Sequence, residues 1–360
     1  MILQPTDRRS KFRHAHRGTK HSSSAAGGAA TSAQTYITTG AGQVAVIDKI
    51  VLRCALADAA ASPLSVKLTL TLNGSTMDFA WRTFDGATAG FAAGRVYTLR
   101  PKGSLVVNPS SSLTMTSDTL GIVFARVDYR MVGIEEAISA GYLAGTTFNI
   151  THGNLVSGTR TALISAATVT SSRCLEINGF AITGNMATST GASPGSVLLE
   201  FSDGSTHRKI VRNCYSSADP EHNNPMIVSD CVIRGPAGYG LYVTANKTVS
   251  GTDIVRASVW GRYVPSDRQS TFPGTGVAPG ATDACDTGDY FWLYNENTTH
   301  LGTYEVFPST TMARSENVCT LDGYAISAGL HTGGALVFSI ASAAIKSQYT
   351  AAPAAIGGAP

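Results

Sequence analysis

Charge is what this 360-residue chain has least of. Charged residues make up 14% of it, well under the usual quarter of a soluble domain. Ala, Gly, Ser and Thr take their place, and a surface of small neutral residues is easily desolvated. Such a surface suits a protein packed against copies of itself, and it equally suits a weakly charged β protein. Metal-site spacing is missing too. The six cysteines, Cys54, Cys174, Cys214, Cys231, Cys285 and Cys319, contain no CxxC pair, which excludes the common zinc frameworks. Free thiols fit a reducing cytoplasm, and a disulfide remains open. The histidines show no HExxH spacing, and His14-Ala15-His16 is their one close pair. Gly274-Thr275-Gly276 lacks the Gly-Lys-Ser/Thr ending of a phosphate loop. Asp283, Asp286 and Asp289, three apart in a Gly-containing loop, are the nearest approach to a calcium site, though turns carry aspartate routinely. Carboxylate neighbours such as Glu135/Glu136 and Asp219/Glu221 read as surface residues. The expectation is therefore no enzyme, no cofactor and no metal. The basic start is followed by no apolar stretch, and nothing is long enough to span a bilayer, so neither a secretory signal nor a membrane partner is expected.

What the chain has is repetition. Ile47-Asp48-Lys49-Ile50-Val51-Leu52 recurs as Ile177-Asn178-Gly179-Phe180-Ala181-Ile182. Ala61-Ser62-Pro63-Leu64-Ser65-Val66 recurs as Ala192-Ser193-Pro194-Gly195-Ser196-Val197. Asn73-Gly74-Ser75-Thr76 recurs as Asp203-Gly204-Ser205-Thr206, and Val127–Val132 as Val259–Val264. The offsets are 130, 131, 130 and 132 residues. Four landmarks at nearly one offset mark a duplicated unit. A third opening stands at Leu321-Asp322-Gly323-Tyr324-Ala325-Ile326.

Each unit reads as β. Ser65–Leu72 alternates with period two and places Val66, Leu68, Leu70 and Leu72 on one face. Asn73-Gly74 then supplies a hairpin turn that tolerates positive φ, and Asp203-Gly204 mirrors it. Gly121–Val132 is a further strand, and Gly133–Leu143 carries a short helix. Cys174 and Cys319 precede apolar core strands, where a small buried thiol fits. Strands divided by Gly, Pro, Asn and Ser turns argue for antiparallel sandwiches. A unit near 130 residues has the size of a jelly roll. The expected fold class is all-β, with tandem antiparallel β-sandwich, jelly-roll-like domains and an extended basic N-terminal arm.

The expected organisation is an arm over 1–34, a first sandwich over 35–132, a connector over 133–171 and a second sandwich over 172–264. Residues 265–360 hold a long loop, a third partial repeat and a tail. The connector includes a strand over Thr161–Thr170. A half-sandwich leaves an apolar face and an open sheet edge that a neighbouring subunit can complete by strand exchange.

Charge is concentrated at the start. Residues 1–21 hold Arg8, Arg9, Lys11, Arg13, Arg17 and Lys20 against Asp7, a balance of +5, and the other 339 residues carry −2. Two partners fit such an arm. Nucleic acid is held by counterion release, and a neighbouring subunit is held by arginines on carboxylates or carbonyls. Phe12 is the run's one aromatic, which argues against base stacking. A second candidate surface is Tyr290-Phe291-Trp292-Leu293-Tyr294. Tyr290, Trp292 and Tyr294 alternate along it, as a core, an interface or a sugar-stacking platform.

The basic arm, the duplicated strand-turn pattern through Val66–Gly74 and Val197–Gly204, and the neutral Ala/Gly/Thr-rich body together resemble structural proteins of tailed-bacteriophage virions. The likeness is to head-associated decoration, cement or spike-base proteins. It implies a non-enzymatic virion protein assembled in the host cytoplasm. It implies trimers or pentamers, and arms that clamp the major capsid protein or other virion proteins. A neck, tail or fibre component, a carbohydrate-binding adhesion module and a jelly-roll major capsid protein are the alternatives.

Overall fold

The computed structural model describes residues 19–26, 33–55, 64–83, 96–117, 122–143, 145–153, 155–185, 195–215, 226–246 and 254–268. Nine strands come first: β1 (Thr19–Ala26), β2 (Gln34–Thr38), β3 (Gln43–Ala55), β4 (Leu64–Leu72), β5 (Ser75–Thr83), β6 (Val96–Leu99), β7 (Val106–Val107), β8 (Ser112–Ser117) and β9 (Ile122–Gly133). One short helix follows, α1 (Ile134–Ser139). Nine more strands follow it: β10 (Thr147–His152), β11 (Arg160–Ile164), β12 (Arg173–Asn185), β13 (Gly195–Ser202), β14 (His207–Tyr215), β15 (Met226–Val228), β16 (Ile233–Arg234), β17 (Gly240–Ala245) and β18 (Ile254–Pro265). All of the strand pairings are antiparallel. The fold class is all-β.

The sheets reveal the duplication strand by strand. The first nine strands make one sheet in the order β1-β9-β3-β6, with β7 also on β3, and a second in the order β2-β8-β4-β5. The second nine make β10-β18-β12-β15, with β16 on β12, and β11-β17-β13-β14. Adding nine to each strand number of the first pair gives the second pair. In both, the chain winds back and forth between two facing sheets, which is the jelly-roll arrangement. We call them roll one and roll two.

Alternation along the strands explains each core. In roll one, Ile50 and Leu52 of β3, Leu68, Leu70 and Leu72 of β4, Met77 and Phe79 of β5 and Val127 of β9 meet between the sheets. In roll two, Ile177, Phe180 and Ile182 of β12 meet Val197, Leu199 and Phe201 of β13 and Val259 of β18. Each large apolar side chain so buried contributes about 1.5–3 kcal/mol. Both rolls also carry a β-bulge at the same place. Pairing with β9 skips Asp48, and pairing with β18 skips Asn178. Each extra residue sits in the repeated hexapeptide that first exposed the duplication.

Several placements differ from the sequence reading. Thr19–Ala26, inside the expected arm, is β1 and pairs with β9 along its whole length. Lys20 stands opposite Arg130 in that register. Thr147–His152 and Arg160–Ile164, inside the expected connector, are edge strands of roll two's sheets. The strand expected over Thr161–Thr170 stops at Ile164, where Ala166–Thr168 turns as 3₁₀. The two mirrored turns also differ. Asn73 and Gly74 both have positive φ, 53° and 80°, and close a two-residue hairpin. The counterpart is longer, and the Asp203 carboxylate holds it by accepting from the N–H groups of Ser205 and Thr206 at 2.8 and 2.6 Å. Cys174 is buried as expected, and burial pushes its thiol up to about 11. The third repeat, with Cys319, lies outside the described residues.

Candidate functional site

The site is where the rolls meet. β5 has β4 on one side and no strand on the other. Its free edge lies across the outer face of β10, β18 and β12. An exposed strand edge leaves backbone N–H and C=O groups unpaired, and here side chains standing up from the sheet satisfy them. The Asp78 N–H donates to Thr151 Oγ1 at 3.1 Å, and Ser258 Oγ donates to the Asp78 carbonyl at 2.6 Å. The two hydroxyls are bonded to each other. Asn149 Nδ2 donates to the carbonyls of Ser75 at 3.0 Å and Leu72 at 3.4 Å.

An apolar anchor lies beside this polar row. Trp260, on the outer face of β18, is fully buried and belongs to the core cluster of roll one. Ala181 of β12 joins it there. Gly179 opposite makes room for the indole, because a Cβ at that position would lie 2.1 Å from Trp260 Cζ2. The indole N–H donates to Ser104 Oγ at 3.3 Å. Charged contacts fringe the joint. Lys102 Nζ is 2.6 Å from Asp230, and Arg256 Nε is 3.4 Å from Asp78.

A cleft of about 300 Å³ opens at one end of the joint, lined by Asp78, Thr151, His152, Gly153 and Arg256. His152 Nδ1 is buried there without a hydrogen-bond partner. Burial and then the nearby Arg256 charge hold its pKa below the usual 6.5. A neutral imidazole beside a guanidinium and a carboxylate is a pH-sensitive element of the interface. No substrate chemistry is visible in it. Among the described residues, no group of three or more His, Cys, Asp or Glu is placed to hold a metal. Leucine, isoleucine, phenylalanine and methionine side chains occupy the space between the facing sheets. Among the described residues no helix is long and apolar enough to cross a membrane.

No protein-family model matches the chain, and no curated protein does. Among solved structures the chain is similar to the STIV MCP, with 11% identity, coverage of 69% of this chain and 97% of that one, and a TM-score of 0.31. It is similar to the major capsid protein P2 of bacteriophage PM2, with 12% identity, coverage of 68% and 97%, and a TM-score of 0.31. It is also similar to the tandem CBM22-1–CBM22-2 domain of Xyn10C from Paenibacillus barcinonensis, with 15% identity, coverage of 69% and 92%, and a TM-score of 0.17.

The site residues expected from sequence fall elsewhere. Arg8, Arg9, Lys11, Arg13 and Arg17 lie outside the described residues, as do Tyr290, Trp292 and Tyr294 and the trio Asp283, Asp286 and Asp289. Lys20 is on β1. Sequence reasoning missed Trp260, Gly179, Asn149, Thr151 and Ser258. One signal was available at the repeat itself, because Gly179 replaces Lys49 and Trp260 replaces Asp128 at matched positions of otherwise similar strands.

Proposed function

We propose that the protein is a structural subunit of a virus particle, a tandem jelly-roll protein that builds the shell with further copies of itself. One observation carries this reading. Two jelly rolls of identical strand order pack side by side through a head-to-tail contact, the strand edge of one against the sheet face of the next. Head-to-tail contacts repeat until they close into a ring or extend as a filament. A chain built this way carries the means of its own assembly. The rolls are packed with apolar side chains, so their chemistry lies on their surfaces. The weakly charged composition suits surfaces that end up covered.

A jelly roll alone does not decide function. The reading rests on the joint and on the duplication. Trimers or pentamers are the oligomers it favours, with particles assembled in the host cytoplasm. The basic residues Arg8, Arg9, Lys11, Arg13, Arg17 and Lys20 lead into the edge strand β1 and are proposed to hold a neighbouring virion protein or the genome. A shell-building role is proposed here in preference to decoration of a shell made by another protein.

The test is copy number in purified, nuclease-treated particles, by quantitative mass spectrometry. Hundreds of copies, comparable with the most abundant particle protein, are expected. A handful per particle moves the protein to a tail or vertex. Absence from particles overturns the reading.

A further inference from the structure

The joint within one chain uses two surfaces, the free edge of β5 on roll one and the outer face of β10-β18-β12 on roll two. Because the strand orders are identical, each roll owns both surfaces. One chain therefore leaves one of each without its counterpart. They are the outer edge of β14 on roll two, which pairs with no strand among the described residues, and the outer face of β1-β9-β3 on roll one. We propose that these two surfaces meet between copies, with β14 of one subunit lying across the β1-β9-β3 face of the next. The inference rests on the shell-subunit reading and names the contact that reading needs.

The register allows the faces to be compared position by position. Thr147 lies opposite Arg262, and Lys20 lies opposite Arg130, its repeat counterpart. Asn149 and Thr151 therefore correspond to Ser22 and Ser24. On the neighbouring strands Trp260 and Ser258 correspond to Asp128 and Arg126, and Gly179 and Ala181 to Lys49 and Val51. Side chains that bond a strand edge in the first joint thus have hydrogen-bonding counterparts in the second. Ser22, Ser24 and Arg126 occupy the positions of Asn149, Thr151 and Ser258.

The anchor is what differs. Where roll two presents a buried indole, roll one presents Asp128, whose carboxylate accepts from Ser22 Oγ at 2.9 Å and from Arg126 Nε at 2.8 Å. Lys49 and Val51 beside it are half-buried. The joint between copies is therefore polar, and the joint within the chain is apolar at its centre. Exposed charge contacts weaken as salt rises, whereas a buried apolar contact does not. Copies should separate while the two rolls of each chain stay together.

The experiment uses lysines the chain already has. Matching Met77 to Arg208 across the shared register places Lys209 where Asp78 lies in the first joint, and Lys49 stands where Gly179 does. Full-length protein is prepared with ordinary and with ¹⁵N nitrogen, mixed, allowed to assemble and treated with an amine-reactive crosslinker. The expected result is a mixed-isotope Lys49–Lys209 link that fades as sodium chloride is raised. A Val51→Arg variant, placing a long charged side chain on the outer face, should keep the wild-type circular dichroism and weaken association at least tenfold. An oligomer whose mixed-isotope links omit Lys49–Lys209 overturns this joint and leaves the shell reading standing. So does a Val51→Arg protein that assembles like wild type. A wild-type protein that stays monomeric at every concentration and salt overturns both.

Discussion

The same row of the same sheet is built oppositely in the two rolls. In roll one it reads Val106, Val46, Arg130 across β7, β3 and β9. In roll two it reads Arg234, Glu176, Arg262 across β16, β12 and β18. The first row lies under α1 and the turn after it. Val46 and Val106 pack there with Val44, Val132, Ala137 and Tyr142, while Arg130 leans aside to the bulge residue Asp48, bonding both carboxylate oxygens at 2.8–3.2 Å. In the second row Glu176 is fully buried, taking Arg234 Nε at 2.8 Å and Arg262 Nε at 2.9 Å. The bulge residue Asn178 adds a third donor at 3.1 Å. One topology thus accepts an apolar row under a helix or an ionic row that satisfies itself. A mixture fails, because a buried charge stripped of its partners is expensive.

The largest effect is expected where the rolls join. Trp260→Ala removes the indole from the core of roll one, at a cost of about 3–5 kcal/mol. Calorimetry should then resolve two transitions in place of one. Gly179→Ala should act in the same direction, since its methyl group would collide with the indole. The matched change in roll one, Lys49→Ala, should shift stability by no more than about 0.5 kcal/mol. Equal losses from both alanine variants would break the asymmetry between the faces.

Next comes the ionic row. Glu176→Gln leaves two largely buried guanidiniums without their carboxylate and should cost about 3–5 kcal/mol, read by urea denaturation. Transplanting roll one's solution, Glu176→Val with Arg234→Val and Asn178→Asp, lets Arg262 turn to residue 178 as Arg130 turns to Asp48. That triple variant should recover most of the loss. These neighbours couple, so the sum of the single effects is no guide. A triple variant as weak as Glu176→Gln would mean that the two rows are not interchangeable.

The smallest effect is pH dependence at the cleft. The folded pKa of His152 lies below its unfolded value near 6.5, so the unfolded chain binds the proton first. Stability is intact above that value and is lost as pH falls from about 6.5 toward the folded pKa. Protonation adds a charge that faces Arg256 across a cleft whose one carboxylate is Asp78. Melting temperature measured from pH 8 to pH 5 should fall more for wild type than for His152→Gln. Parallel curves would remove His152 from the account.

Much of the fold was legible in the residues. The hexapeptide at Ile47 and Ile177, the strand Ser65–Leu72 and the Asn73-Gly74 turn are local patterns with local causes, and each appears as an element. The edge strands escaped notice. Thr19–Ala26 is Thr, Lys, His, Ser and Ala, with no apolar alternation, and its place is set by pairing with β9 rather than by its own face. Thr147–His152 and Arg160–Ile164 share little sequence with their counterparts β1 and β2, so repetition could not flag them. The joint was illegible for a different reason. A glycine and a tryptophan in separate strands carry no sign that one fills the space above the other. Hydroxyls that cap a strand edge look like ordinary β-sheet threonine and serine.

That Trp260 belongs to the core of roll one has a consequence for the newly made chain. All the strands of roll one have been synthesised by residue 133, yet part of its interior is supplied about 130 residues later by Ala181 and Trp260. At typical elongation rates of about 5–20 residues per second, the nascent roll waits roughly 6–25 seconds with that side uncovered. During this interval its Met77 and Phe79 region offers an apolar opening to chaperones and proteases. The second roll closes it, so an early-terminated chain leaves the ribosome already marked for disposal.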